Sequence, residues 1–142
     1  MVVRSRTRSV ALKPELLRAA AYRTELRRFL HRTDSVAGEA GLTSQRYDLL
    51  LMIAAAGEVQ VTELCELLHM QQTAVTELVK RSEEAGLVKR RPSREDGRVW
   101  LLRLTGDGER RLQRAFAALR EDREALAKAF REVDRRFRAA GG

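Results

Sequence analysis

Apolar residues along the chain follow two periods, and the switches between them mark the elements. From Pro14 to about Ala40, Tyr22, Leu26, Phe29 and Val36 keep three- and four-residue steps. That spacing predicts one apolar stripe on a helix opened by proline at its first position. YDLLLMIAAA is apolar nearly all round and predicts a central core helix, capped by Thr43 or Ser44. GEVQV reads as a short extended piece, after which Thr62 is placed to cap TELCELLHM. A further helix, QTAVTELVKRSEEA, follows Met70 and Gln71. LVKRR and RVWLLRL are then joined by PSREDG, a turn rich in Pro, Ser, Asp and Gly, which predicts a β-hairpin. Thr105 opens a last, long helix. In it Leu112, Phe116, Leu119, Leu126, Phe130, Val133 and Phe137 keep the three-four rhythm, broken only at Arg123.

Helix ends are punctuated by glycine. Glu-Ala-Gly-Leu occurs at 39–42 and 84–87, and Ala-Gly recurs at 56–57. Glycine one step past a helix adopts the left-handed conformation cheaply, so helices should end near Ala40, Ala56 and Ala85. The fold class expected is mainly α with a small β wing. Leu64, Leu67, Leu68, Val75, Leu78 and Val79 join two short helices, and a hairpin follows. That order describes a winged helix-turn-helix over residues 43–104. Long helices at 13–40 and 105–142 flank it. A helix of roughly 30 residues spans about 45 Å, more than a small domain covers, so these stripes are expected to pair two copies as a homodimer. Tyr22, Leu26, Leu126, Phe130, Val133 and Phe137 are the candidate dimer contacts.

Charge sharpens this picture. The net charge of +8 comes from two places: residues 1–13, with four bases and no acid, and residues 80–103, with eight bases against four acids. The remainder cancels. Such concentration suits a polyanion partner, with double-stranded DNA the natural one for this architecture. Residues 1–12 read as a flexible basic tail before a single domain, 13–142. On the second short helix, Gln72, Thr73, Thr76 and Lys80 are placed to reach base edges and phosphates. Arg90, Arg91 and Arg94 of the hairpin are expected to approach phosphates.

The remaining chemistry is sparse. Cys65 and His69 share a helix face, but Cys65 lies in the apolar run LCELL and reads as a buried core thiol rather than a metal ligand. Trp100 alternates with Leu102 and Leu104 and reads as packing. No phosphate loop, nucleophile-base set or metal-spaced cluster suggests an enzyme, a metal or a cofactor. A lone cysteine, no apolar run of membrane length and no apolar leader in MVVRSRTRSVALK suggest a cytoplasmic protein.

The run TELVKRSEEAGLVKRRPSREDGRVWLLRLTGDG resembles the signature of the MarR family of winged-helix transcriptional regulators. The resemblance is carried by Gly86, Leu87 and Val88 with Arg90, by Asp96 with Arg98, and by Leu104 and Thr105 with Gly108. It extends to TSQRYDLLLMIA and VTELCELLHM, about residues 13–138 in all. It implies that Arg98 enters the minor groove and that Asp96 orients it. It also implies an obligate homodimer on an inverted-repeat operator, acting as a repressor released by a small-molecule effector. By position, Tyr22, Arg46 and Tyr47 are candidates to line the effector pocket. Three residues depart from the family pattern: Gly97 replaces a long residue at the wing tip, Ser82 an apolar core residue, and His69 a glycine of the helix turn. Two alternatives stay open: a sequence-tolerant architectural DNA binder, or a protein-interaction module that has lost DNA binding.

Overall fold

Stops and caps divide the described residues into six helices and one hairpin. The computed structural model describes the backbone of residues 2–140 and the side chains of 13–139. In chain order the elements are α1 (Val2–Glu39), α2 (Ser44–Ala56), α3 (Val61–Leu68), α4 (Gln72–Glu84), β1 (Val88–Pro92), β2 (Trp100–Leu104), α5 (Gly106–Ala118) and α6 (Arg120–Ala140). Gly41, Gly57 and Gly86, just past α1, α2 and α4, have φ of 75, 79 and 76°. The glycine stops therefore act as expected. Thr43 caps α2, its side chain accepting from the Arg46 amide at 3.1 Å. His69, at φ 51 and ψ 45°, takes the left-handed turn after α3 in place of glycine.

Four expectations are corrected. α1 starts at Val2, so Pro14 lies inside it and residues 2–12 continue the helix rather than forming a separate tail. No glycine interrupts those residues, and the missing proline N–H removes only one bond of the ladder. The basic side chains of that stretch lie outside the described residues. α3 is entered through Gln60, placing Thr62 within its first turn. The last helix is two helices separated at the buried Leu119. The break falls where packing partners change, since α5 packs on α2 and β2 while α6 side chains meet those of α1. Leu67 and Trp100 are each 48% exposed, so neither is a core residue.

The chain forms two compact units, Asp34–Ala118 and Met1–Thr33 with Leu119–Gly142. α2 is the hub of the first: Leu49, Leu50 and Ile53 are fully buried, and α3, α4, α5 and β2 all pack against it. Ser82 is also fully buried, and its hydroxyl donates to the Leu78 carbonyl at 2.8 Å, so a polar residue sits in the core without a lost bond. In the second unit Tyr22 meets Phe130 edge-on with ring centres 5.3 Å apart, and its hydroxyl donates to Asp134. Arg18 pairs with the same carboxylate at 2.7 Å. These two partners, Tyr22 first, hold the Asp134 carboxyl below its usual range.

One joint ties the wing to α5. The Thr105 hydroxyl donates to the Gly86 carbonyl at 2.6 Å and accepts from the Gly108 amide at 3.0 Å. The Thr105 amide donates to the Leu87 carbonyl at 3.0 Å. Thr105→Val keeps the shape and removes both hydroxyl bonds. It should cost about 1–2 kcal/mol in urea unfolding, whereas Thr105→Ser should recover most of the loss.

Candidate nucleic-acid interface

Two surfaces of the Asp34–Ala118 unit carry the expected chemistry. On α4, Val75, Leu78, Val79 and Ser82 face inward, while Gln72, Thr73, Thr76 and Lys80 are exposed. This division follows from the period of 3.6, which puts Thr73, Thr76 and Lys80 on one side. Gln72 and Thr73 occupy the first turn, where unpaired amides and the positive end of the helix dipole favour a phosphate.

The second surface is the hairpin. Its strands pair antiparallel, with Val88 opposite Leu104, Lys89 opposite Arg103, Arg90 opposite Leu102, Arg91 opposite Leu101 and Pro92 opposite Trp100. Opposed residues share a face, so Arg90 sides with the buried Leu102 and Leu104, while Lys89, Arg91, Leu101 and Arg103 share the other face. The tip is fastened by its own backbone: the Ser93 amide donates to Val99 at 2.7 Å, and the Val99 amide to Asp96 at 3.0 Å. Asp96 Oδ1 accepts from the Arg98 backbone amide at 3.0 Å. Asp96 thus contacts Arg98 through the main chain, fixing where the side chain leaves the turn.

The wing arginines separate into two pairs. Arg90 grips Glu83 at the end of α4 with Nε and Nη2, at 3.1 and 3.0 Å from Nε to the two carboxylate oxygens. Arg91 grips Glu58 in the same two-pronged way, with Nε 2.7 Å from the carboxylate, and its Nη1 donates to the Pro92 carbonyl at 3.2 Å. Arg103 stands 3.6 Å from Glu58. Arg91, ahead of the other neighbours, holds the Glu58 carboxyl below the ordinary carboxylate range. Arg94 and Arg98, by contrast, are exposed and form no ion pair among the described residues. Gly97 between them has nothing within 4 Å of a would-be Cβ.

Glu58 and Glu83 are the site residues that sequence reasoning missed. Their basic partners lie 33 and 7 residues away. The one available signal was an acid directly after the glycine stop at 57, beside an extended segment.

The other candidates fall elsewhere. Tyr22 belongs to one unit, and Arg46 and Tyr47 to the other. Tyr47 is buried, and Arg46 is half-buried, its enclosed Nε without a hydrogen-bond partner among the described residues. Of the candidate dimer contacts, Leu26 is exposed, while Leu126, Phe130, Val133 and Phe137 are half-buried. Cys65 is half-buried rather than buried, and no group of three metal-ligating side chains occurs among the described residues. No described helix is long and apolar enough to cross a membrane.

Comparison with known proteins agrees with this geometry. The MarR family model matches residues 40–99. YwoH of Bacillus subtilis, an uncharacterised HTH-type transcriptional regulator, is 30% identical over 95 residues, covering 67% of this chain and 69% of YwoH. The chain belongs to the MarR family. A second B. subtilis regulator, YdgJ, is 34% identical to this MarR-family chain over 73 residues, which is 51% of the chain but only 44% of YdgJ. The crystal structure of a mutant MarR from E. coli complexed with operator DNA has the same fold. It superimposes with a TM-score of 0.65 at 21% identity, over 84% of each chain. The MarR-family match takes in the recognition-helix candidate and the hairpin through Val99, and stops before β2.

Proposed function

We propose that this MarR-family chain is a homodimeric, DNA-binding transcriptional regulator, acting as a repressor on an inverted-repeat operator and released by a small molecule. One observation carries the reading: an exposed Gln72-Thr73-Thr76-Lys80 face and two tip arginines without an ion pair among the described residues belong to one compact unit. The face supplies amide, hydroxyl and ammonium groups for a major groove; the tip supplies cations for the flanking backbone and minor groove. Dimerisation is supported by Leu16, Leu17, Leu26 and Leu30, four large apolar side chains left exposed on α1. Two such recognition helices would meet successive major grooves about 34 Å apart. Release requires only a ligand that favours a dimer state whose helices no longer match that spacing.

Mobility shift on the DNA upstream of its own gene, against unrelated duplex at one salt concentration, tests this reading. The expected preference is roughly a thousandfold or more, with sedimentation reporting a dimer. Tight binding without preference would favour the architectural alternative. No shift on any duplex at low salt would favour the interaction module.

A further inference from the structure

The face of the wing that carries Lys89, Arg91 and Arg103 is basic, yet a carboxylate from outside the hairpin lies against it. Glu58 is not a loose surface partner. Gly57 before it closes α2 by donating to Ile53 and Ala54, and Val59 after it exchanges two backbone bonds with Leu102, at 3.2 and 2.8 Å. Anchored on both sides, the carboxylate is held beside β1 and β2 with little entropy left to lose. All three nitrogens of the Arg91 guanidinium are turned toward the protein, two to Glu58 and one to Pro92.

We infer that Glu58 is a built-in counterion of the wing: it occupies Arg91, shares Arg103, and thereby holds down sequence-independent affinity for DNA phosphate. The inference rests on the DNA-binding reading above and adds to it a residue that sets binding strength. A phosphate can recruit Arg91 only by displacing the carboxylate, which also repels it. Because sequence-independent binding is almost wholly electrostatic and bulk DNA vastly outnumbers operators, such a brake keeps the protein from being taken up by bulk DNA.

The test measures binding of the full chain to a labelled random-sequence duplex from about 50 to about 200 mM salt, for wild type, E58Q, R91Q and the double variant, with thermal melts confirming folding. E58Q should bind tighter at low salt. Each protomer gains one phosphate contact, steepening the salt slope by about 0.9, so the advantage of a dimer should shrink roughly tenfold across that range. The double variant should lose most of the gain. R91Q alone should keep the wild-type slope, because Arg91 is already occupied; this measurement does not depend on E58Q folding. Equal or weaker binding by E58Q, a gain fully kept in the double variant, or a slope shallower by about 0.9 per protomer in R91Q overturns the role of Glu58. If wild type binds no duplex at low salt, the DNA-binding reading falls, and the inference with it.

Discussion

Gly108→Ala should destabilise the Asp34–Ala118 unit by about 3 kcal/mol or more, or prevent its folding. A Cβ at this position would lie 2.1 Å from the Leu87 carbonyl oxygen and 3.0 Å from its carbon. Neither atom can step aside. Leu87 is fully buried, its amide donates to Ser82 at 2.9 Å, and its carbonyl accepts from Thr105 at 3.0 Å. A methyl group therefore has to push the first turn of α5 off the segment between α4 and β1, and the bonds of the Thr105 hydroxyl go with it. For a unit of this size such a loss lowers the melting temperature by more than about 10 °C. Gly97→Ala is the control, since nothing stands within 4 Å of its Cβ. That variant should melt at the wild-type temperature or slightly above it. Calorimetry or a circular-dichroism melt on both decides the matter, and a Gly108→Ala protein with wild-type stability would contradict the close approach described here.

The second large effect is on binding. For the proposed dimer on an operator, Arg98→Ala should weaken affinity roughly thirty- to a thousandfold, from about 1–2 kcal/mol in each of two protomers, while leaving the melting temperature unchanged. Arg98 is exposed, carries no ion pair among the described residues, and leaves a turn fixed through the Asp96 carboxylate. Nothing in the fold depends on its guanidinium. Asp96→Ala should give a smaller loss, because it frees the backbone from which Arg98 projects without removing the cation. Fluorescence anisotropy at fixed salt measures both. An Arg98→Ala protein with intact operator affinity would move the groove contact elsewhere, with Arg94 the next residue to try.

What could be read from the chain was what neighbours in sequence decide. Glycine stops at 41, 57 and 86, the Thr43 and Thr105 caps, and the hairpin turn are all local chemistry, and each stands where the sequence placed it. The division of α4 into two faces was legible for the same reason, as a helix that buries Val75, Leu78 and Val79 must expose Thr73, Thr76 and Lys80. Features set by distant contacts were not legible. Gly108 is needed because of a carbonyl at residue 87, and Arg91 is occupied because of a carboxylate at residue 58. Periodicity likewise ran straight through Leu119, where the helix breaks, because an apolar rhythm does not record a change of packing partner. Four neighbouring arginines looked equivalent in sequence. Two are answered by acids from other elements, and two form no ion pair among the described residues.

The exposed indole of Trp100 also has an optical consequence. It is the only tryptophan in the chain, and it stands at the start of β2 opposite Pro92. Near-ultraviolet excitation selective for indole therefore lights the wing and nothing else. With 48% of the residue open to solvent, a soluble quencher can reach it in the free protein, and whatever lies down on the wing will shield it. The unlabelled protein carries its own reporter on the hairpin, on the face that Arg90 shares.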